Sequence, residues 1–194
     1  MRARTQSTQP RLRVGGGYDS HRFGEGRQLV LGGVWIPHDH ALVGHSDADA
    51  VCHAVTDAVL GAGSLGDIGR LFPDTDPQWK DADSLMMLGV AVARAHEAGY
   101  VVGNVDVVVI CERPKIGPHA QAIRESLAHV LAVDPSMVSI KGKTNEGVDA
   151  TGRGEALRTV HRPGDSAPIT SRSRKTAERR VDLVQHGGLK PPPA

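Results

Sequence analysis

Asp19, His21 and His53 are the residues whose types and spacing point most directly to chemistry. Asp19 and His21 stand two apart in Gly17-Tyr18-Asp19-Ser20-His21, just after an expected strand at Leu12-Arg13-Val14. Alternate residues of an extended segment face the same way, so a carboxylate and an imidazole at that spacing can reach one point. His53 falls in an expected helix over residues 47–62 and can bring a third ligand. Two His and one carboxylate leave one corner of a tetrahedron open, the ligand set of a catalytic rather than a structural zinc site. Asp49 and Asp57 flank His53 at four-residue spacing. Either could orient the imidazole, and both could equally be solvated helix acids.

Other segments carry weaker signals. His45-Ser46-Asp47 stands at the expected start of that helix, where free N–H groups and the helix dipole favour a phosphate. A plain N-cap from Ser46 or Asp47 fits the same residues. Asp67-Ile68-Gly69 leads into Phe72-Pro73-Asp74-Thr75-Asp76, which reads either as a lid whose carboxylates hold a small polyol or as an ordinary polar loop. Cys111-Glu112-Arg113-Pro114-Lys115-Ile116-Gly117 directly follows an apolar strand, where ligand sites of α/β sheets form. In Lys143-Thr144-Asn145-Glu146, Thr144 offers a hydroxyl and Glu146 a hard oxygen suited to Mg²⁺ or Mn²⁺. Arg153, set between glycines, offers a fork for phosphate. Gly15-Gly16-Gly17 lacks the spacing and the following helix of a dinucleotide fingerprint, so its glycines read as room for close backbone approach.

These residues need elements to position them. The hydrophobic pattern predicts a hairpin from Gln28 to Pro37 around Gly32-Gly33 and helices over 47–62, 83–98 and 118–132. It also predicts a strand over 101–111, buried on both faces, and another over 137–141. The order β, hairpin, α, α, β, α, β predicts an α/β sandwich, a mixed sheet with helices packed on one face. With 194 residues and 3% aromatics, the core must rest on Val, Leu, Ile and Ala. Residues 1–13 carry four Arg and no acid, and residues 156–194 carry a net +5, so a total of +1 leaves segment 14–155 near −8. An acidic body excludes a nucleic-acid reader and suits a metal enzyme acting on an anion. Two cysteines make no disulfide framework, and no apolar run reaches a membrane span. The expectation is a cytoplasmic protein with no nucleic-acid or membrane partner.

In order, Gly17-Tyr18-Asp19-Ser20-His21, His45-Ser46-Asp47-Ala48-Asp49, Leu65-Gly66-Asp67-Ile68-Gly69, Phe72-Pro73-Asp74-Thr75-Asp76, Gly103-Asn104-Val105-Asp106, Arg113-Pro114-Lys115 and Thr151-Gly152-Arg153-Gly154-Glu155 resemble the motifs of the 2-C-methyl-D-erythritol 2,4-cyclodiphosphate synthase family. The resemblance covers residues 12–157. It implies a homotrimer with sites between subunits, working in non-mevalonate isoprenoid synthesis. The implied reaction converts 4-diphosphocytidyl-2-C-methyl-D-erythritol 2-phosphate to the cyclic diphosphate and CMP. It further implies Zn²⁺ on Asp19, His21 and His53, and Mg²⁺ or Mn²⁺ near Glu146. His45 and Thr144 match the transition-state stabilisers. Substrate contacts are implied for Asp19, Ser20, His21, His45, Ser46, Asp67 to Gly69 and Phe72 to Asp76. The cytidine pocket, given by the adjacent subunit, matches Cys111 to Gly117 with Lys143 to Glu146; Ala150 and Arg153 match further contacts.

The chain departs from the family's pattern in three places. Asp149-Ala150 stands where Gly-Phe is common, and Lys143 where Thr is frequent. After Leu157, Arg158 to Arg162 and Pro163 replace an apolar core segment. The organisation read from the chain is therefore a flexible basic extension at 1–11, a catalytic domain at 12–157, and an atypical, disordered tail at 158–194 from a divergent or frame-altered end. Two alternatives to the synthase stay open: a zinc-dependent nucleotide phosphoester hydrolase, and a non-catalytic remnant.

Overall fold

A computed structural model of the chain describes residues 12–26, 28–161 and 169–171. The strands are β1 (Gly17–Gly24), β2 (Leu29–Leu31), β3 (Val34–Ile36), β4 (Ala41–Leu42), β5 (Tyr100–Val102), β6 (Val105–Ile110), β7 (Val138–Lys143), β8 (Ala156–His161) and β9 (Ile169–Ser171). The helices are α1 (Ala50–Gly63), α2 (Ile68–Leu71), α3 (Ser84–Glu97), α4 (Ala120–Leu131) and α5 (Asp149–Gly152). Five strands form one mixed sheet in the order β4-β1-β8-β6-β7, with β6 and β7 parallel and the other pairs antiparallel. Helix α1 packs on β1 and β8, α4 on β7, and α3 against both helices.

The small residues of α1 let the sheet come close. A Cβ at Gly17 would sit 1.8 Å from the Ala54 carbonyl oxygen, and one at Gly15 1.9 Å from that of Ala58. Only glycine permits that approach. The hairpin forms as expected: Gly32 and Gly33 both take positive φ (61° and 73°), the pairing that a two-residue turn between twisted strands requires. The core is aliphatic, with Leu29, Leu31, Ile36, Val51, Val55, Val59, Leu88, Ile123, Leu127 and Leu157 fully enclosed.

Several expectations shift. The first sheet strand is Gly17–Gly24, so Asp19 and His21 lie inside it rather than after a strand at 12–14. Helix α1 starts at Ala50 with Asp49, not Ser46 or Asp47, as its N-cap. The run 101–111 splits at Gly103-Asn104, because β5 leaves the main sheet to pair with β9. In β6, Val105, Val107 and Val109 are buried while Val108 and Ile110 are only half-buried, so one face is open in the single chain. The expected break after Leu157 is absent. Strand β8 runs on to His161 between β1 and β6, turning Leu157, Thr159 and His161 into the interior. The central place is held by backbone hydrogen bonds on both edges, which Arg158 and Thr159 supply as well as apolar residues would. Arg158, on the outer face, pairs with Asp149 at 2.7 Å. The expected basic extension at 1–11, and of the tail residues 162–168 and 172–194, lie outside the described residues.

Leu157→Ala measures whether β8 is a core strand. Removing a fully buried Leu side chain costs about 2–5 kcal/mol, against roughly 0.5 kcal/mol or less for a residue in a solvated tail. Urea titration of the two proteins gives the difference.

Candidate metal centre and active site

Strand β1 and helix α1 cross so that three candidate metal ligands meet. Asp19 Oδ2 lies 2.9 Å from His21 Nε2 and 3.0 Å from His53 Nδ1, and the two ring nitrogens are 3.3 Å apart. A tetrahedron with bonds of about 2.0–2.1 Å has edges of about 3.3–3.4 Å, so the trio is spaced to share one small cation. Among the described residues this is the one group of three such side chains that could hold a metal ion. The side chains are 13–24% exposed, so the cluster keeps an open side for a ligand. The Val43 carbonyl oxygen, 2.8 Å from His21 Nδ1, can only accept. That places a proton on Nδ1 and turns Nε2 toward the cluster.

The electrostatics agree with a cation-ready site. Burial pushes the Asp19 carboxyl up, but hydrogen bonds and charge from His21 and His53 outweigh it and hold the group far below the usual carboxylate range. Burial pushes His21 down, while the hydrogen bond and charge of Asp19 and the Val43 carbonyl raise it further, for a net rise above 6.5. The donor set, its spacing and its charge all fit a divalent metal.

The surroundings of His53 differ from the expectation. Neither Asp49 nor Asp57 is hydrogen-bonded to its ring. Asp49 accepts from the N–H groups of Val51, Cys52, Gly32 and Gly33, and Asp57 from that of Ile68 at 2.8 Å. His53 Nε2 instead lies 3.0 Å from Ser46 Oγ and 2.9 Å from Ser84 Oγ. Ser84 is fully buried at the start of α3 and was not singled out by the sequence reading. No local signal marks it: it is the first residue of α3 after the Asp83 cap, and its partner is distant in sequence. The helix-start phosphate reading of His45-Ser46-Asp47 also changes. These residues precede the helix, and Asp49 occupies its first N–H groups.

The loop at 67–83 returns to the segment that precedes α1. Asp67 caps α2, Phe72 is buried edge-on to Trp79 with ring centroids 4.8 Å apart, and Asp76 caps the turn Pro77–Trp79. The loop is then stitched to the exposed His45 segment, with Asp81 N–H donating to the His45 carbonyl (2.9 Å) and Asp47 N–H to that of Ala82 (3.1 Å).

A second group of expected residues gathers at the ends of β6 and β7. Cys111 N–H donates to the Lys143 carbonyl at 2.9 Å, and Asn145 N–H to the Glu112 carboxylate at 2.9 Å. The Arg113–Pro114 peptide is cis, Ile116 is buried beneath the loop, and Arg113, Lys115 and Gly117 are exposed. Thr144 Oγ1 donates to Glu146, and Arg153 pairs with Glu155 at 2.8 and 3.0 Å. Asp149 has φ of 59°, a left-handed conformation that explains the family's glycine there. Its carboxylate accepts from Thr151 N–H, Asn145 and Arg158, while Ala150 lies half-buried beside it.

Uptake of a divalent metal by this cluster should release protons. A His pKa raised above 6.5 makes the charged ring a stabilising feature of the metal-free fold at low pH, lost as pH rises through the raised value. A metal needs the neutral ring, so metal affinity should rise with pH across that same window. Calorimetric titration of zinc in buffers of different ionisation heat should report the proton release, and equal heats in all buffers would refute it.

The residues 12–161 match the model of the YgbB family. The chain is 60% identical over 149 residues to the 2-C-methyl-D-erythritol 2,4-cyclodiphosphate synthase of Gemmatimonas aurantiaca, covering 77% of this chain and 90% of that one. A solved 2-C-methyl-D-erythritol-2,4-cyclodiphosphate synthase superposes with a TM-score of 0.71 at 37% identity, covering 81% of this chain and 98% of that one. A Plasmodium falciparum relative solved as a CDP complex also gives 0.71, at 33% identity, covering 84% and 97%. The match ends at His161, where β8 ends, and not at Leu157. The chain therefore belongs to the YgbB family, the family of the 2-C-methyl-D-erythritol 2,4-cyclodiphosphate synthases.

Proposed function

We propose that this chain converts 4-diphosphocytidyl-2-C-methyl-D-erythritol 2-phosphate to 2-C-methyl-D-erythritol 2,4-cyclodiphosphate and CMP in non-mevalonate isoprenoid synthesis. The observation that carries the reading is the Asp19–His21–His53 cluster at tetrahedral spacing, in a chain 60% identical to such a synthase. The reaction is an internal displacement. An oxygen of the 2-phosphate bonds to the β-phosphorus, the bond from that phosphorus to the bridging oxygen breaks, and CMP leaves with the electron pair. No water enters and no strong base is needed, so positioning and charge neutralisation supply the catalysis.

Asp19, His21 and His53 hold Zn²⁺, and Glu146 approaches an Mg²⁺ or Mn²⁺. These cations supply positive charge for the diphosphate as two anionic arms are folded together. His45 and Thr144 stabilise the transition state with hydrogen bonds. Residues 67–69 and 72–76 hold the erythritol hydroxyls, and Arg153 exchanges Glu155 for phosphate. That exposed ion pair is worth little, so the exchange costs little. The loop at 111–117 and residues 143–146 frame the cytosine, consistent with the CDP held by the Plasmodium relative.

Three copies assemble, with the nucleotide loop of one facing the metal cluster of the next. Two features support this. The metal cluster is on β1 and α1 while the nucleotide loop is on β6 and β7, and the outer sheet face leaves Val108, Ile110 and Val160 half-buried and Tyr18 55% exposed. Another copy would cover that face.

Incubation with the substrate, Zn²⁺ and Mg²⁺ should give CMP and the cyclic diphosphate in equal amounts by mass spectrometry. CMP with a linear product would instead establish a hydrolase. His53→Ala should lose bound zinc and turnover while keeping its circular dichroism; full activity with unchanged metal content would refute the ligand assignment. Light scattering on the eluting protein should give three times the mass of the 20.6 kDa chain.

A further inference from the structure

The buried hydroxyl of Ser84 sits between two groups of opposite hydrogen-bonding character. On one side is the Asp47 carboxylate, which only accepts: Ser84 Oγ donates to its Oδ1, Ser84 N–H approaches its Oδ2 at 3.2 Å, and Asp49 N–H approaches its Oδ1 at 3.2 Å. On the other side is His53 Nε2, at 2.9 Å. A hydroxyl has one proton, and here it goes to Asp47. Toward His53 the oxygen can therefore only accept, so the ring proton must sit on Nε2. The lone pair is then on Nδ1, the nitrogen 3.0 Å from Asp19 and 3.3 Å from His21.

We propose that Ser84 is a positioning residue for the metal ligand His53, its hydroxyl fixed by Asp47 so that the imidazole presents Nδ1 to the cation. The inference rests on the zinc reading of the cluster. Ligating histidines are commonly held this way by an acceptor on the far nitrogen, and losing that acceptor weakens metal binding by about 10–100-fold. Ser46 Oγ, 3.0 Å from the same nitrogen and 3.2 Å from Ser84 Oγ, is a second acceptor that partly substitutes. His21 is held by a different device, the Val43 carbonyl, so the two ligands are oriented independently. Ser84 also closes the loop at 67–83, which ties the seating of that loop to the aim of a metal ligand.

The test is the zinc Kd of the full-length protein, by competition with a chromophoric chelator at constant pH, with the melting temperature of the metal-free form measured alongside. Ser84→Ala should raise the Kd about 10-fold or more, and Ser46→Ala/Ser84→Ala further, with metal-free melting little changed. Ser84→Thr keeps the hydroxyl and should bind nearly as the wild type does. Asp47→Ala removes the acceptor that fixes the Ser84 proton and lets it turn toward His53, so it too should weaken zinc. A folded Ser84→Ala with the wild-type Kd overturns the proposal. If Ser84→Ala does not fold, Asp47→Ala decides in the same way. Wild-type protein that binds zinc no better than His53→Ala would remove the metal reading itself, and the proposal with it.

Discussion

A single buried carboxylate holds the scaffold of the site together. Asp49 is fully enclosed and accepts four backbone N–H groups, from Gly32 (2.9 Å), Gly33 (2.7 Å), Val51 (3.0 Å) and Cys52 (3.0 Å). Two belong to the hairpin turn and two to the first turn of α1. One side chain therefore satisfies two of the orphan donors of the helix and locks the β2–β3 hairpin against it. Burial pushes its carboxyl up; the N–H groups of Gly33, Cys52 and Gly32 pull it down without cancelling that rise. A buried acid is tolerable only where hydrogen bonds replace its water, and here every one of them comes from backbone that must be in its native conformation. His53 lies four residues on, its N–H donating to the Asp49 carbonyl at 3.0 Å, so the same anchor sets where the candidate metal ligand begins.

The position of α1 over the sheet then places His53 against Asp19 and His21. Ala54 and Ala58 on the helix and Gly15 and Gly17 on the strand side let backbone meet backbone. Larger residues would lift the helix and pull the ligand nitrogens off a common centre. The three candidate ligands come from a strand and a helix rather than loops, which gives the precision a metal site would need. Loop residues 67–83 are added on top, capped in turn by Asp67, Asp76 and Asp83.

The far end of the domain shows how backbone can stand in for side chains. In β8 the buried face is Leu157, Thr159 and His161, with one apolar residue among three. His161 Nδ1 is 2.6 Å from the Asp106 carbonyl oxygen, which satisfies part of the buried polarity. The pair of Asp149 and Arg158 joins the loop that carries Thr144 and Glu146 to this strand. A strand paired on both edges retains its place in the sheet through hydrogen bonds that are blind to residue type. The polar residue types beyond Leu157 therefore cost the sheet no strand.

Much was legible without coordinates. The two-residue spacing of Asp19 and His21 encodes a shared face, the apolar periods encode α1, α3 and α4, and Gly32-Gly33 encodes its turn, because each of these is a local property of the chain. The seven ordered motifs encoded the family. What the chain left undetermined was every choice between partners distant in sequence. Asp49 stands at the spacing of an imidazole partner, yet its carboxylate is taken by a hairpin 16–17 residues away. Ser84 has no local mark of chemistry, yet lies 2.9 Å from a ring 31 residues earlier. Residue type sets which bonds a group can make; only packing sets which groups arrive within reach to make them.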